Sequence, residues 1–295
     1  MRTVARAGWV RRAISVAGGP PRVCWDEGVR SRWRVKPGER VRLADIDPGS
    51  TAGAPGGRTE TSAALPALHV ALADLQDRLW AESRRSLLVV LQAMDAGGKD
   101  GTIKHVFQGV NPQATRVTSF KQPDAEELKH DFLWRVHRAA PAAGEIGIFN
   151  RSHYEDVLAV RVHHLVPDRV WKARFELIEW FERQLVHGGT TLVKLFLHIS
   201  REEQRRRLEE RLTRPDKRWK FRHSDVEERS HWDQYRVAYE DALTRTSAAH
   251  APWYVVPADH KWYRNWVVSR ILVETLRDLD PKYPEPPDLH DVHIE

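Results

Sequence analysis

The chain has 295 residues, 41% hydrophobic and 30% charged, which supplies a core for one large domain or two small ones and excludes wholesale disorder. Its longest nearly unbroken apolar run, 87–91, is far short of the ~20 residues that cross a bilayer. Its single cysteine, Cys24, cannot close an internal disulfide, so a soluble protein of the reducing cytoplasm, with no membrane partner, is the expectation. The net charge of +6 suggests nucleic acid until it is divided: residues 1–42 hold 11 Lys/Arg and 3 Asp/Glu, and the remainder holds 36 and 38. A body so nearly neutral lacks the broad positive field of a nucleic-acid-binding domain.

In chain order, residues 1–34 read as a disordered basic extension, with a transit peptide as the sharper alternative for the acid-free first 25. Residues 35–64 form an N-terminal segment whose Gly/Pro/Ser/Thr-rich part, 48–62, reads as a surface loop before the compact domain at 65–280 and a tail at 281–295. Leu65, Leu68, Leu72, Leu75 and Leu79 then recur at helical spacing. Short apolar runs at 87–91, 116–120, 145–149, 191–199 and 253–256 predict buried strands. Helical patterns lie between them, several opening with an acceptor three residues before a glutamate: Asp124 with Glu127, Ser200 with Glu203, Ser224 with Glu227. Strands alternating with helices predict a parallel sheet covered on both faces. The aromatic stripes Trp232, Tyr235, Tyr239 and Trp262, Trp266 read as core, and His137, His163, His164 and His198 as structural.

Between the first strand and its helix runs LQAMDAGGKDGT, in the context a phosphate loop requires. There backbone N–H groups and the helix dipole meet an anion, Gly97, Gly98 and Gly101 allow close approach, and Lys99 can reach terminal phosphates. Ala93 stands where the standard loop has its first glycine, and Asp100 where it has a metal-binding hydroxyl. Asp95 and Asp100 beside a polyanion would repel it unless magnesium lay between, so both are candidate metal ligands. The plainer reading is a strand-to-helix turn.

The third strand leads into Asn150-Arg151-Ser152-His153-Tyr154-Glu155-Asp156, which should face the same crevice, because ligands of open parallel sheets bind beyond the carboxyl ends of strands. Arg151 suits a transferring phosphoryl group, or else a surface pair with Glu155 or Asp156. Asn150, His153, Tyr154 and Glu155 are candidates for the nucleotide site. Residues 211–222 carry six Lys/Arg and only Asp216 across the bend at Pro215, the composition of a mobile lid over a polyanion. The neighbouring Arg205, Arg206 and Arg207 read instead as solvated partners of nearby glutamates.

Taken together, LQAMDAGGKDGTIKHVFQGVNPQ, SFKQPDAEELKHDFLWRVH, GIFNRSHYEDVL, RPDKRWKF and HAPWYVVPADHKWYRNW resemble the polyphosphate kinase 2 family over about residues 35–280. The FNRSHYEDV form is similar to its class III subgroup. The resemblance implies an α/β, three-layer P-loop kinase fold like that of thymidylate kinase: a parallel five-stranded sheet, helices on both faces, and a helical lid at about 205–230. It also implies transfer of the terminal phosphoryl group of inorganic polyphosphate to AMP and ADP. Magnesium is the expected cofactor, with manganese as a substitute, and the expected assembly is a homodimer or homotetramer.

Residue by residue, the loop Asp, Lys and following residue match Asp95, Lys99 and Asp100, the arginine after the strand matches Arg151, and the lid cations match Arg211, Lys217 and Arg218. Lys121, ending the second strand, is a further phosphate-binding candidate. Gly97 replaces an alanine common in the family, a mild change by expectation. The rival readings are an ATP-dependent nucleoside monophosphate kinase and a catalytically silent polyphosphate-binding protein, the latter suggested by Ala93 and Asn150.

Overall fold

The computed structural model describes residues 28–288. Five parallel strands, β1 (Ser86–Ala93), β2 (Thr115–Ser119), β3 (Ile146–Asn150), β4 (Thr190–His198) and β5 (Trp253–Pro257), form one sheet in the order β2-β3-β1-β4-β5. Every side chain of the central β1 is buried, as its unbroken apolar composition requires of a strand covered on both faces. The ten helices of the described residues are α1 (Gly28–Trp33), α2 (Arg58–Glu82), α3 (Lys99–Val106), α4 (Trp134–Ala139), α5 (Ala159–Val162), α6 (Asp168–His187), α7 (Arg201–Thr213), α8 (Ser224–Ser230), α9 (Trp232–Thr246) and α10 (Lys261–Leu279). Helices α2, α3 and α10 pack together, and α5, α6 and α9 form a second group. No described helix is long and apolar enough to cross a membrane.

The five expected strands are all present, within a residue or two of their sequence-based limits, but β2, at the edge of the sheet, is not buried as expected: Val117 is 48% exposed. Ser200 caps α7, its hydroxyl accepting from the Glu203 amide at 3.0 Å. Asp124 and Glu127 exchange the two bonds of a capping box at 3.1 and 2.8 Å, yet only one 3₁₀ turn follows. Ser224 does not act as a cap. It is the first helical residue of α8, and the preceding turn is closed by Asp225, whose carboxylate accepts from the Arg222 amide.

The N-terminal boundary needs correction. Residues 1–27 lie outside the described part, but 28–34 belong to the body. Helix α1 packs on α10, Val29 is buried, and Arg34 forms a β-bridge with Tyr254. Val35, Val41 and Leu43 continue the buried line, and His198 Nε2 donates to the Ile46 carbonyl at 3.1 Å. Single apolar residues spaced among arginines carry no periodicity, which is why the sequence reads as an extension there. Helix α2 likewise starts at Arg58, inside the expected 48–62 loop.

Candidate active site

After β1 the chain crosses to β2, beyond β3; after β3 it crosses β1 to reach β4. The switch in direction opens a crevice at the carboxyl ends of β1 and β3. The loop leaving β1 and the turn leaving β3 both enter it. Ala96 (φ 60°) and Gly98 (φ 100°) adopt left-handed backbone in the loop, and Arg151 does so (φ 62°) in the turn, its amide donating to the Leu91 carbonyl at 3.0 Å. A non-glycine residue held left-handed stores strain that the surroundings must overcome.

The loop is shaped by side chains that hold its carbonyls. Tyr239 Oη and Lys99 Nζ donate to the Ala93 carbonyl at 3.0 and 3.1 Å, and Gln204 Nε2 to that of Asp95 at 3.0 Å. Arg207 Nη1 donates to the carbonyls of Ala96 and Gly97 at 3.1 and 3.0 Å. Because a trans peptide points its N–H opposite its C=O, fastening these carbonyls to the scaffold turns the amides that follow them the other way. Helix α3 begins at Lys99 and adds its free N–H groups. Gly97 is less replaceable than expected: a Cβ there would lie 2.4 Å from Ala93 Cβ and 2.8 Å from the Met94 carbonyl oxygen, so alanine requires the loop to shift.

The charged groups converge across the crevice. Arg151 Nη2 lies 2.8 Å from Asp95 Oδ1, and its Nη1 lies 3.4 Å from Glu155 Oε2; the alternative partner, Asp156, instead pairs with Arg174 at 2.9 Å. Asn150 Nδ2 donates to Asp100 Oδ1 at 2.8 Å, and Lys220 approaches Asp100 Oδ2 at 3.7 Å. Burial, then the neighbouring Arg151, pushes the Lys99 ammonium down to about 8, against the opposing pull of Asp95, Glu155 and Asp100. Glu155, and after it Asp95, holds Arg151 above its ordinary value despite burial. The described residues contain no group of three or more metal-ligating side chains. Two carboxylates are too few for an all-protein cage, but they suit magnesium, which takes one or two carboxylates and completes its octahedron with phosphate oxygens and water.

Several candidates stand elsewhere. His153 and Tyr154 are completely buried and do not belong to a nucleotide site. Tyr154 Oη contacts Glu182, Thr246 and the fully buried Lys194 at 2.8–2.9 Å, and His153 Nε2 lies 3.3 Å from Glu182. The turn that presents Arg151 sends the next aromatic residues inward, to satisfy that core ion pair. Lys121 is exposed just beyond β2, where the Phe120 amide bonds the Asn150 carbonyl. In the lid, Arg211 pairs with Asp225 at 3.0 Å and Lys217 with Glu210 at 2.6 Å, while Arg218 donates to the Leu212 carbonyl. Two acids that pair with these cations, Glu210 and Asp225, thus lie just outside the 211–222 window, while Asp216 inside it pairs with Arg214 at 2.8 Å.

Arg205 and Arg206 pair on the surface with Glu202, Glu209 and Glu203 as expected. Arg207 pairs with Glu203 as well, at 2.6 Å, but it is not solvated: it is 5% exposed and the rest of its guanidinium grips the loop. Gln204, Arg207 and Tyr239, together with Arg264, whose guanidinium lies against Gly98, are the site residues that sequence reasoning missed. Tyr239 is core, as its stripe suggests, and a loop anchor as well.

A family model for polyphosphate kinase 2 matches residues 57–284. The chain belongs to the polyphosphate kinase 2 family. An AMP/ADP-polyphosphate phosphotransferase of Meiothermus ruber is 56% identical over 255 residues, covering 86% of this chain and 96% of the relative. An ADP-polyphosphate phosphotransferase of Rhodopseudomonas palustris is 48% identical over 226 residues, covering 72% and 78%. The crystal structure of polyphosphate kinase 2 from Arthrobacter aurescens TC1 superposes with a TM-score of 0.85 at 42% identity, covering 88% of this chain and 93% of that one. The polyphosphate kinase 2 match spans the loop, the Arg151 turn and the lid, so the crevice lies wholly within the shared region.

Proposed function

We propose that this chain transfers the terminal phosphoryl group of inorganic polyphosphate to AMP and to ADP, giving ADP and ATP. The observation that carries this reading is the meeting of Lys99, Asp95 and Arg151 at the switch point of a polyphosphate kinase 2 fold. The near full-length likeness to a relative named for both acceptors supports it.

In the reaction, an oxygen of the nucleotide's terminal phosphate bonds to the end phosphorus of polyphosphate. The bridging P–O bond breaks, and the shortened chain leaves with the bond's electrons. The acceptor is already an oxyanion, so positioning and charge neutralisation dominate the barrier. Loop amides and Lys99 receive the donor phosphates. Arg151, freed from Asp95, presents its fork to the equatorial oxygens in flight. Asp95 and Asp100 would hold a magnesium ion, which when bound neutralises phosphate charge and templates donor and acceptor. The lid residues Lys217 and Arg218, with Arg211 behind them, follow the polyphosphate chain, and Lys121 borders the acceptor side. Assembly as a homodimer or homotetramer completes the proposal, and light scattering of the full chain checks it.

Incubation with magnesium, long-chain polyphosphate and AMP tests the reading, with nucleotides separated over time. ADP should rise first and ATP follow. ADP accumulation without ATP under excess polyphosphate would restrict the chain to one step, and activity with ATP but none with polyphosphate would assign it to the ATP-dependent monophosphate kinases.

A further inference from the structure

Arg264, in the first turn of α10, has no role in the mechanism above. It is 2% exposed, and among the described residues the only partner of its Nε and Nη2 is the neutral Asn265 Oδ1, at 3.2 and 2.8 Å. No carboxylate pairs with it among the described residues. Its charged neighbour is another cation, the buried Arg207. Isolated buried charge is costly, and structures that retain it ordinarily supply a counter-ion.

The guanidinium lies against the phosphate loop. A Cβ built on Gly98 would fall 2.1 Å from Arg264 Nη1 and 3.4 Å from Arg207 Nη1, and one on Gly101 would fall 3.4 Å from Arg264 Nη2. The two glycines flanking the start of α3 are therefore the surface on which Arg264 rests. Burial, then Arg207, push it down to about 9, which leaves it charged at neutral pH.

We propose that Arg264 is a positioning residue for the donor: a built-in excess positive charge behind Gly98 and Gly101, compensated only when a polyanion fills the loop. This deepens, and rests on, the polyphosphate reading. Arg207 supplies the mechanical half of the same device by fastening the carbonyls of Ala96 and Gly97; Arg264 supplies the unbalanced charge. The empty loop is kept at a higher free energy so that phosphate binding relieves it, which favours highly charged donors over singly charged anions.

The test is thermal unfolding of the full chain in magnesium, with and without inorganic tripolyphosphate, for wild type, R264M, R264Q and R264K, together with initial rates. R264M, without ligand, should melt at or above the wild-type temperature, because an uncompensated charge is gone. Its tripolyphosphate-induced rise in Tm should shrink by at least about half. Its KM for polyphosphate should increase about tenfold, or about 1.4 kcal/mol, with the KM for AMP nearly unchanged, and R264K should recover most of the loss.

An equal rise in Tm for R264M and wild type overturns the proposal. So does failure of both R264M and R264Q to fold, which would make Arg264 a structural residue. If wild type itself gains no stability from tripolyphosphate but does from ATP, the donor reading fails and this inference with it; if wild type responds and R264M responds equally, only the inference fails.

Discussion

The phosphate loop and the lid bring cations to the same crevice under opposite electrostatic conditions. Around the loop, Arg264 is buried with no acid partner among the described residues, and Lys99 has its proton affinity lowered by burial and Arg151. In the lid, Arg211, Arg214 and Lys217 each have a carboxylate, on Asp225, Asp216 or Glu210, and Glu210 is drawn down to about 2, by Lys217 first. On the proposed function the loop is preorganised for an anion and should gain when one arrives. On the same reading the lid has to exchange internal partners for phosphates, so its net contribution should be small and screened by salt. Affinity should therefore reside in the loop, and the lid should set how a long chain is followed.

The largest expected effect is on the loop side. Asp95→Asn should lower turnover about a hundredfold or more, about 2.7 kcal/mol of barrier, with unfolding little changed. A variant keeping above about a tenth of the wild-type rate would remove Asp95 from the machinery. The second effect is the pH response of Lys99. Its folded value, about 8, lies below the ordinary 10.5, so the unfolded chain binds the proton more readily between those limits. Over that window stability rises with pH while donor capture falls. The kcat/KM for polyphosphate should break downward near pH 8, approaching tenfold per unit, and the break should be absent from Lys99→Arg.

The lid should respond more weakly. Lys217→Ala combined with Arg218→Ala should raise the KM for polyphosphate about fivefold, the size of two screened contacts of about 0.5 kcal/mol each. The KM for AMP should hold, and the salt dependence of donor binding should flatten. Rates at two ionic strengths decide it: an effect as large as that of Asp95→Asn would erase the contrast between the two edges. Smallest of all is Arg205→Ala, which removes surface pairs with Glu202 and Glu209. Its Tm and both KM values should match wild type, and a shifted polyphosphate KM would extend the donor path along α7.

The parts of this arrangement that repeat locally could be read in the sequence. Five apolar runs marked five strands, and glycines beside Lys99 marked the loop, because period and turn chemistry need only near neighbours. The parts that depend on distant contacts could not. Arg207 sits four residues after Glu203, a spacing that predicts a surface pair, and that pair exists at 2.6 Å. The other face of the guanidinium finds the loop, 111 residues away in sequence. Arg264 left one usable signal: it stands among Tyr263, Trp266 and Val267 in a helix that proves buried almost all round, where a charge needs a reason. His153 and Tyr154 misled because they follow Arg151 closely, whereas their shared partner is Glu182, whose own partner Lys194 is a lysine inside an otherwise largely apolar strand.

The fastening of the loop also dictates when it can exist. Its sequence leaves the ribosome before that of its supports, since the side chains that hold its carbonyls come from Gln204, Arg207 and Tyr239, and the charge behind it from Arg264. Even the neighbours of β1 in the sheet, β3 and β4, lie about 60 and 100 residues downstream, so the nascent segment has nothing to pair with. Long-range parallel pairing is slow and leaves apolar edges open while it waits. A growing chain should thus acquire polyphosphate binding abruptly, once α10 has emerged, and shorter nascent fragments should neither capture the polyanion nor be protected by it.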